Sequence, residues 1–192
     1  MPRIPGSNVD ISIILETKLL GYWLTTDLKP NKHVEYILKI AYKRIWAIGR
    51  LKSAGVSNQD ILYFYCLKIR SVLETACPIF HSMLTIQNRD DLERVQKIVF
   101  KVILSEKYTS YENSCKTLNM ETLDEKRTNI SLKFALKCLK HNRLSYLFPR
   151  NNRNDALRKQ EKFKVPQHKT SRYRKSPVPY LISLLNDHLP SI

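Results

Sequence analysis

Asp90 and Asp91 form the carboxylate pair in this chain with the clearest chemical potential. Metal-dependent nucleotidyl transfer needs clustered carboxylates that hold two cations about 4 Å apart. Here the pair lacks the flanking β-hairpin that would present it. It is expected in the first turn of a helix, where acids complement the macrodipole. Cys77 and His81 stand four apart, a spacing that could suggest a metal. No second pair occurs at finger spacing and Pro78 lies between them, so both are read as core or surface side chains. His33, His141, His168 and His188 stand alone, and no GxSxG, HExxH or GxxxxGK[ST] motif occurs. A hydrolase or kinase reading has nothing to rest on, and neither a metal nor a cofactor is expected.

The cations are more informative. Projected at about 100° per residue, Lys32, Lys39, Lys43 and Arg50 fall within roughly 20° of one line. Tyr36 and Trp46 flank that line. Val34, Ile37, Leu38, Ala41, Ile45 and Ile48 take the opposite face. A row of cations opposite an apolar face is usually a solvated surface. This row has one sign of charge and aromatic borders, the pattern of a groove for a nucleic-acid backbone and its exposed bases. A second cationic cluster is Arg172, Arg174 and Lys175.

The composition supports a polyanion partner. Thirty-three Lys and Arg oppose 17 Asp and Glu in 192 residues, a formal charge of +16. Each phosphate such a chain neutralises releases condensed counterions. An acidic membrane surface would also attract it, but no window reaches the 18 or more apolar residues of a span. No signal-peptide stretch is seen at the N-terminus. The four cysteines form no CxxC pair and are read as reduced thiols, which points to the nucleus or cytoplasm. Only four glycines occur, too few for a fold rich in tight turns.

The elements that must position these residues are mostly helical. Val9–Ile13 and Lys18–Thr26 read as two short strands, the second breaking at Asp27. Two strands alone are marginal in water, so they need a partner sheet or must lie on the helices. A first helix spans 31–52 and ends at Ala54-Gly55. A second opens at Ser57, with an acid at Asp60, and is kinked or ended by Pro78. Thr85 caps a third, carrying Leu92, Val95, Val99, Val102 and Ile103. A short helix follows near Tyr111–Leu118. Thr122–Glu125 is a capping box that opens a helix to about His141, with Leu123, Ile130, Phe134, Ala135 and Cys138 on its apolar stripe. The stretch Arg150–Lys175 carries ten basic residues against two acids and is expected to fold only against something else. It is also readable as a nuclear-localisation patch or a linker. Ser176-Pro177 starts a last helix, with Tyr180, Leu181, Leu184 and Leu185 as its apolar side.

Several runs resemble one family, the reverse transcriptases of non-LTR retrotransposons. Lys18–Leu24 (KLLGYWL) resembles the strand K-[YF]-L-G-V-x-[IL]-D of the primer grip at the palm–thumb boundary. Trp46–Ser57 resembles L-x-R-L-K-x-x-G-V, and Ile69–Phe80 resembles I-R-P-V-L-E-Y-A-x-P-V-W. Leu92–Lys97 resembles L-E-R-V-Q-K-R. Thr170–Tyr180 with Leu184–Asn186 resembles the C-terminal T-x-R-Y-R-x-S-x-I-P-Y…L-L-N. The likeness covers nearly the whole chain in order. It implies that residues 29–148 are a helical thumb that holds template–primer duplex, and that Leu20 and Gly21 sit in the primer grip. The family's catalytic [FY]-x-D-D is absent, and Tyr22-Trp23 replaces the usual small pair after the glycine. Met1 would then lie beyond the active site, so polymerase activity is not expected of this chain alone.

The expected fold is a mainly α helical bundle with a short N-terminal β-hairpin (1–28), a thumb-like body (29–148) and a basic, partly extended tail ending in a short helix (149–192). The expected function is non-catalytic binding of an RNA or DNA duplex through Lys32, Tyr36, Lys39, Lys43, Trp46, Arg50, Arg172, Arg174 and Lys175. A missing palm domain or a second chain is a further expected partner, and no membrane is. The alternative is a helical protein-interaction module with no nucleic-acid role.

Overall fold

The computed structural model describes residues 14–151 and 162–189. The chain is mainly helical with one two-stranded antiparallel sheet near its start, as its periodicities predict. Strand β1 is Glu16–Leu19 and β2 is Tyr22–Thr25, paired from Glu16↔Thr25 to Leu19↔Tyr22. This corrects the sequence reading, which took Lys18–Thr26 as a single strand. The chain reverses inside that run, at Leu20 (φ 48°) and Gly21 (φ 86°). Two successive positive φ values make the tight turn that matches strand twist, and glycine reaches them without strain. Val9–Ile13 lies outside the described residues.

The hairpin gains stability by lying on helices, as two strands must. Tyr22 is buried against His33, with ring centroids 4.4 Å apart, and against Phe80 at 6.3 Å. Helix α1 is Asn31–Ser53. It closes with Gly55 at φ 77°, its N–H donating to the Lys52 carbonyl while the Val56 N–H donates to Leu51. Helix α2 (Asn58–Tyr65) starts at Ser57, whose hydroxyl accepts from the Asp60 N–H. It runs on through a π-helical turn at Cys66–Arg70 into α3, Ser71–Glu74. Pro78 does not end this helix. The helix stops at Glu74 and the chain turns at Ala76 (φ 58°), so that Pro78 sits in the first turn of α4, Cys77–Phe80.

Helix α5 is Ile86–Leu104, capped by Thr85. Asp90 and Asp91 therefore lie beyond its first turn, which holds no acid, contrary to the sequence reading. Asp91 accepts from the Gln87 side chain and lies 3.9 Å from Arg94, an ordinary helix surface. Helix α6 is Tyr111–Thr117, and α7 is Leu123–Lys140 with the capping box of Thr122 and Glu125 in place.

Among the described residues two hydrophobic clusters form. The larger joins α1, α2, α3, α4 and α5 around Ile37, Ile48, Tyr65, Leu73 and Phe100. The smaller joins the C-terminal half of α7 to α9, Pro177–His188, around Ala135, Ile182 and Leu185. Helix α7 serves both, and its buried face winds as it goes. Leu123, Arg127, Ser131 and Ala135 are buried in turn, and each four-residue step rotates the face by about 40°. Phe134 consequently ends up 44% exposed, which corrects its place on the apolar stripe.

Residues 162–189 are ordered against the body. Phe163 is buried in the smaller cluster, and its N–H and carbonyl are both bound by the Asn186 side chain at 3.0 and 2.9 Å. Helix α8, Ser171–Arg174, is capped by Thr170. Ser176 precedes α9, but its hydroxyl donates to the Tyr173 carbonyl instead of capping. Among the described residues, no helix is long and apolar enough to cross a membrane.

Candidate functional site

Helix α1 builds the site. Its inner face is determined by Val34, Ile37, Ala41 and Ile48, all buried against α2, α3 and α5. Burial of that face turns the line Lys32, Tyr36, Lys39, Lys43, Trp46 and Arg50 outward. Steps of four and three residues keep the line straight over about 27 Å, at 1.5 Å per residue. Lys39, Lys43 and Arg50 are exposed, and Trp46 is 70% exposed. Among the described residues neither Lys39 nor Lys43 has an ion-pair or hydrogen-bond partner, so both ammonium groups face water along one seam. Arg50 lies over the Trp46 ring at 5.4 Å, which keeps the planar cation on the seam.

The N-terminal end of the line differs from expectation. Lys32 is half-buried, 3.4 Å from Glu16 on β1 and 5.7 Å from the Trp23 ring. Its charge is partly offset, and at this exposure such a pair contributes little to stability. The hairpin adds Lys18, unpredicted as a site residue, whose ammonium donates to the Tyr36 hydroxyl at 2.7 Å. Lys18 pairs across the sheet with Trp23, and Trp23 packs edge-on to Tyr36 at 6.1 Å. Trp23 was likewise missed. Both stand in the strand-like run Lys18–Thr26, and only the reversal at Leu20-Gly21 brings them together over α1. Leu20 is 97% exposed at the tip, so the residues matched to the primer grip sit at an open turn.

The second cationic cluster is less separate than its distance in sequence suggests. Arg172, Arg174 and Lys175 are exposed on and after α8. The Lys175 carbonyl accepts from the Ser82 hydroxyl at 2.6 Å, which ties α8 to the segment after α4. Between α8 and β2 lies a cavity of about 360 Å³ with Trp23 and Arg172 on its walls. Trp23 thus packs beside Lys32 and Tyr36 of the α1 seam and also lines the cavity that Arg172 of α8 lines. Of the two predicted cationic groups, Lys32 and Arg172 are the members that the structure brings near Trp23.

The remaining titratable candidates are interior. His33 is fully buried between Tyr22 and Phe80. Burial lowers its pKa, the Thr75 backbone opposes that shift, and Lys18 adds to it. His81 is buried with its Nε2 3.1 Å from the Thr128 hydroxyl, and burial followed by the nearby Arg127 lowers its pKa to about 4. Burial pushes the Cys77 thiol up to about 12. Cys77 and His81 are core residues, and among the described residues no three His, Cys, Asp or Glu side chains converge as a metal would need.

Sequence reasoning also missed Arg127. Its side chain is fully buried, 3.9 Å from Glu93 and 3.7 Å from Asp124. Glu93 in turn accepts from the backbone N–H groups of Leu123 and Asp124 and from the Tyr111 hydroxyl. This network joins α5 to α7 and holds the body on which α1 rests. No family model, no curated protein and no solved structure matches this chain.

Proposed function

We propose that this chain grips the sugar–phosphate backbone of an RNA or DNA duplex, without reading its sequence, as the thumb-and-tail portion of a reverse transcriptase of the non-LTR retrotransposon kind. The carrying observation is the seam on α1, where Lys39 and Lys43 are exposed and unpaired among the described residues and Trp46 and Arg50 continue their line. A rigid helix with its apolar face buried holds such cations at fixed spacing, so little ordering is required on binding. The excess charge of +16 draws a polyanion to any orientation, and the seam selects one. Phosphate contacts of this kind position a duplex but carry no base information. The role is non-catalytic in this reading, since the chain carries no [FY]-x-D-D.

Fluorescence anisotropy with a labelled duplex at several salt concentrations tests it. Reversing both Lys39 and Lys43 to Glu is expected to weaken binding to every duplex alike. It is expected to lower the salt slope by about two, at roughly 0.9 for each phosphate no longer neutralised. An unchanged slope sinks the assignment.

A second reading rests on the hairpin. Leu15, Leu19 and Leu20 are exposed there at 74%, 58% and 97%. Such an apolar edge suits contact with a protein, either a palm domain or another chain. The terminal helix α9 suits that role less, because its apolar side is already buried on α7.

A further inference from the structure

The cavity between β2 and α8 borders the larger hydrophobic cluster through Tyr22 and Leu24 and has a composition of its own. We propose that it receives a single unstacked nucleobase from the end of a nucleic-acid strand lying on the α1 seam; this rests on the duplex-binding reading above. Its walls include Trp23, Leu24, Ile79, Met83 and Tyr173, together with the exposed Arg172. A volume of about 360 Å³ is at the small end of ligand pockets, suited to one ring system.

Three observations favour a base over an apolar peptide. Two aromatic walls, Trp23 and Tyr173, come from different elements, and bases stack on such rings whatever their identity. Trp23 is also the ring beside Lys32, so a strand whose phosphates follow the seam arrives at the cavity. The indole N–H of Trp23 is buried with no acceptor among the described residues, and buried donors are ordinarily satisfied.

The cationic side supplies the phosphate. Arg172 is exposed and has no ion-pair partner among the described residues, whereas Lys29 at another wall is 3.1 Å from Asp27 and already offset. The wall is built, not loose. Thr170 caps α8 through the Tyr173 N–H at 3.2 Å, Ser176 binds the Tyr173 carbonyl at 2.6 Å, and Ser82 binds the next turn at Lys175.

The test uses the full chain and three labelled duplexes: blunt, with a one-nucleotide 3′ overhang, and with the same overhang lacking its base. The overhang is expected to bind roughly fivefold to a hundredfold tighter than the blunt duplex, the range of one stacked base. The abasic overhang is expected to match the blunt duplex. Ile79→Trp, which fills the cavity from an exposed position, and Tyr173→Ala, which removes a wall, are each expected to bring the ratio of overhang to blunt affinity to about one. Equal binding of all three duplexes by the unaltered chain overturns the pocket assignment and leaves the seam standing. No binding to any duplex overturns both. Self-association that Ile79→Trp abolishes would give the cavity to a second copy of the chain and overturn the base assignment.

Discussion

Helices α1 and α7 both carry cations, and the structure treats them in opposite ways. On α1 the cations sit outside a well-filled apolar face, and Lys39, Lys43 and Arg50 meet no carboxylate among the described residues. On α7 an arginine takes a place inside the apolar face, where Glu93 and Asp124 surround it. The difference lies in the neighbours and not in the helix. Helix α5 presents Glu93 to α7, whereas what faces Lys39, Lys43 and Arg50 on α1 is solvent. A cation with carboxylates around it fastens elements together, and a cation without them is available to a ligand.

Removing the partner of the buried cation should produce the largest effect. Glu93→Ala leaves the buried Arg127 with only the half-exposed Asp124 carboxylate beside it and takes acceptors from Tyr111, Leu123 and Asp124. A loss of about 3–5 kcal/mol is expected. Urea unfolding followed by circular dichroism reads it, and a loss below about 1 kcal/mol would mean Arg127 does not depend on Glu93. Replacing both residues with apolar ones should cost less than Glu93→Ala alone.

Acid should act on the same side of the comparison. The pKa of His81 is lowered to about 4 in the folded chain, so between its ordinary value of 6.5 and 4 the unfolded chain holds a proton that the folded one does not. Stability therefore falls as pH falls through that window, by roughly 1.4 kcal/mol per pH unit, and flattens below it. Burial lowers the pKa of His33 as well, which adds loss of the same sign. Unfolding midpoints at pH 7 and pH 5 measure the slope, and His81→Phe should flatten part of it.

Thr122→Ala removes half of the capping box at the start of α7 and is expected to cost about 1 kcal/mol in the same assay. The smallest effect belongs to α1. Lys39→Glu with Lys43→Glu should change stability by less than about 0.5 kcal/mol, because neither side chain has an intramolecular partner among the described residues. A large destabilisation there would erase the contrast and make the seam a structural feature.

Much of this arrangement is legible in the residues. The helix over 31–53, its inner face and its outer line all follow from a period of 3.6, because α1 packs along its whole length on one side. Caps at Ser57, Thr85 and Thr122 follow from local chemistry that needs no tertiary contact. The reversal at Leu20-Gly21 is harder to read. The run around it is rich in β-formers, and leucine at positive φ is uncommon. Arg127 and Phe134 are harder still. A stripe drawn with one fixed face runs through Arg127 as well as Phe134, and only its charge argues for placing the arginine outside; because helix α7 changes partners midway, the arginine is buried and the phenylalanine turns out.

Local order in the chain thus determined which segments are helical, where they begin, and which side of α1 is charged. These depend on neighbours within four residues, whose spacing is constant. Only the tertiary structure decided that Lys18 and Trp23 join the seam, that Arg127 is interior, and that Trp23, beside Lys32, shares a cavity with Arg172 of α8. Each of those depends on groups far apart in the chain, and their meeting is decided by how the helices and the hairpin pack.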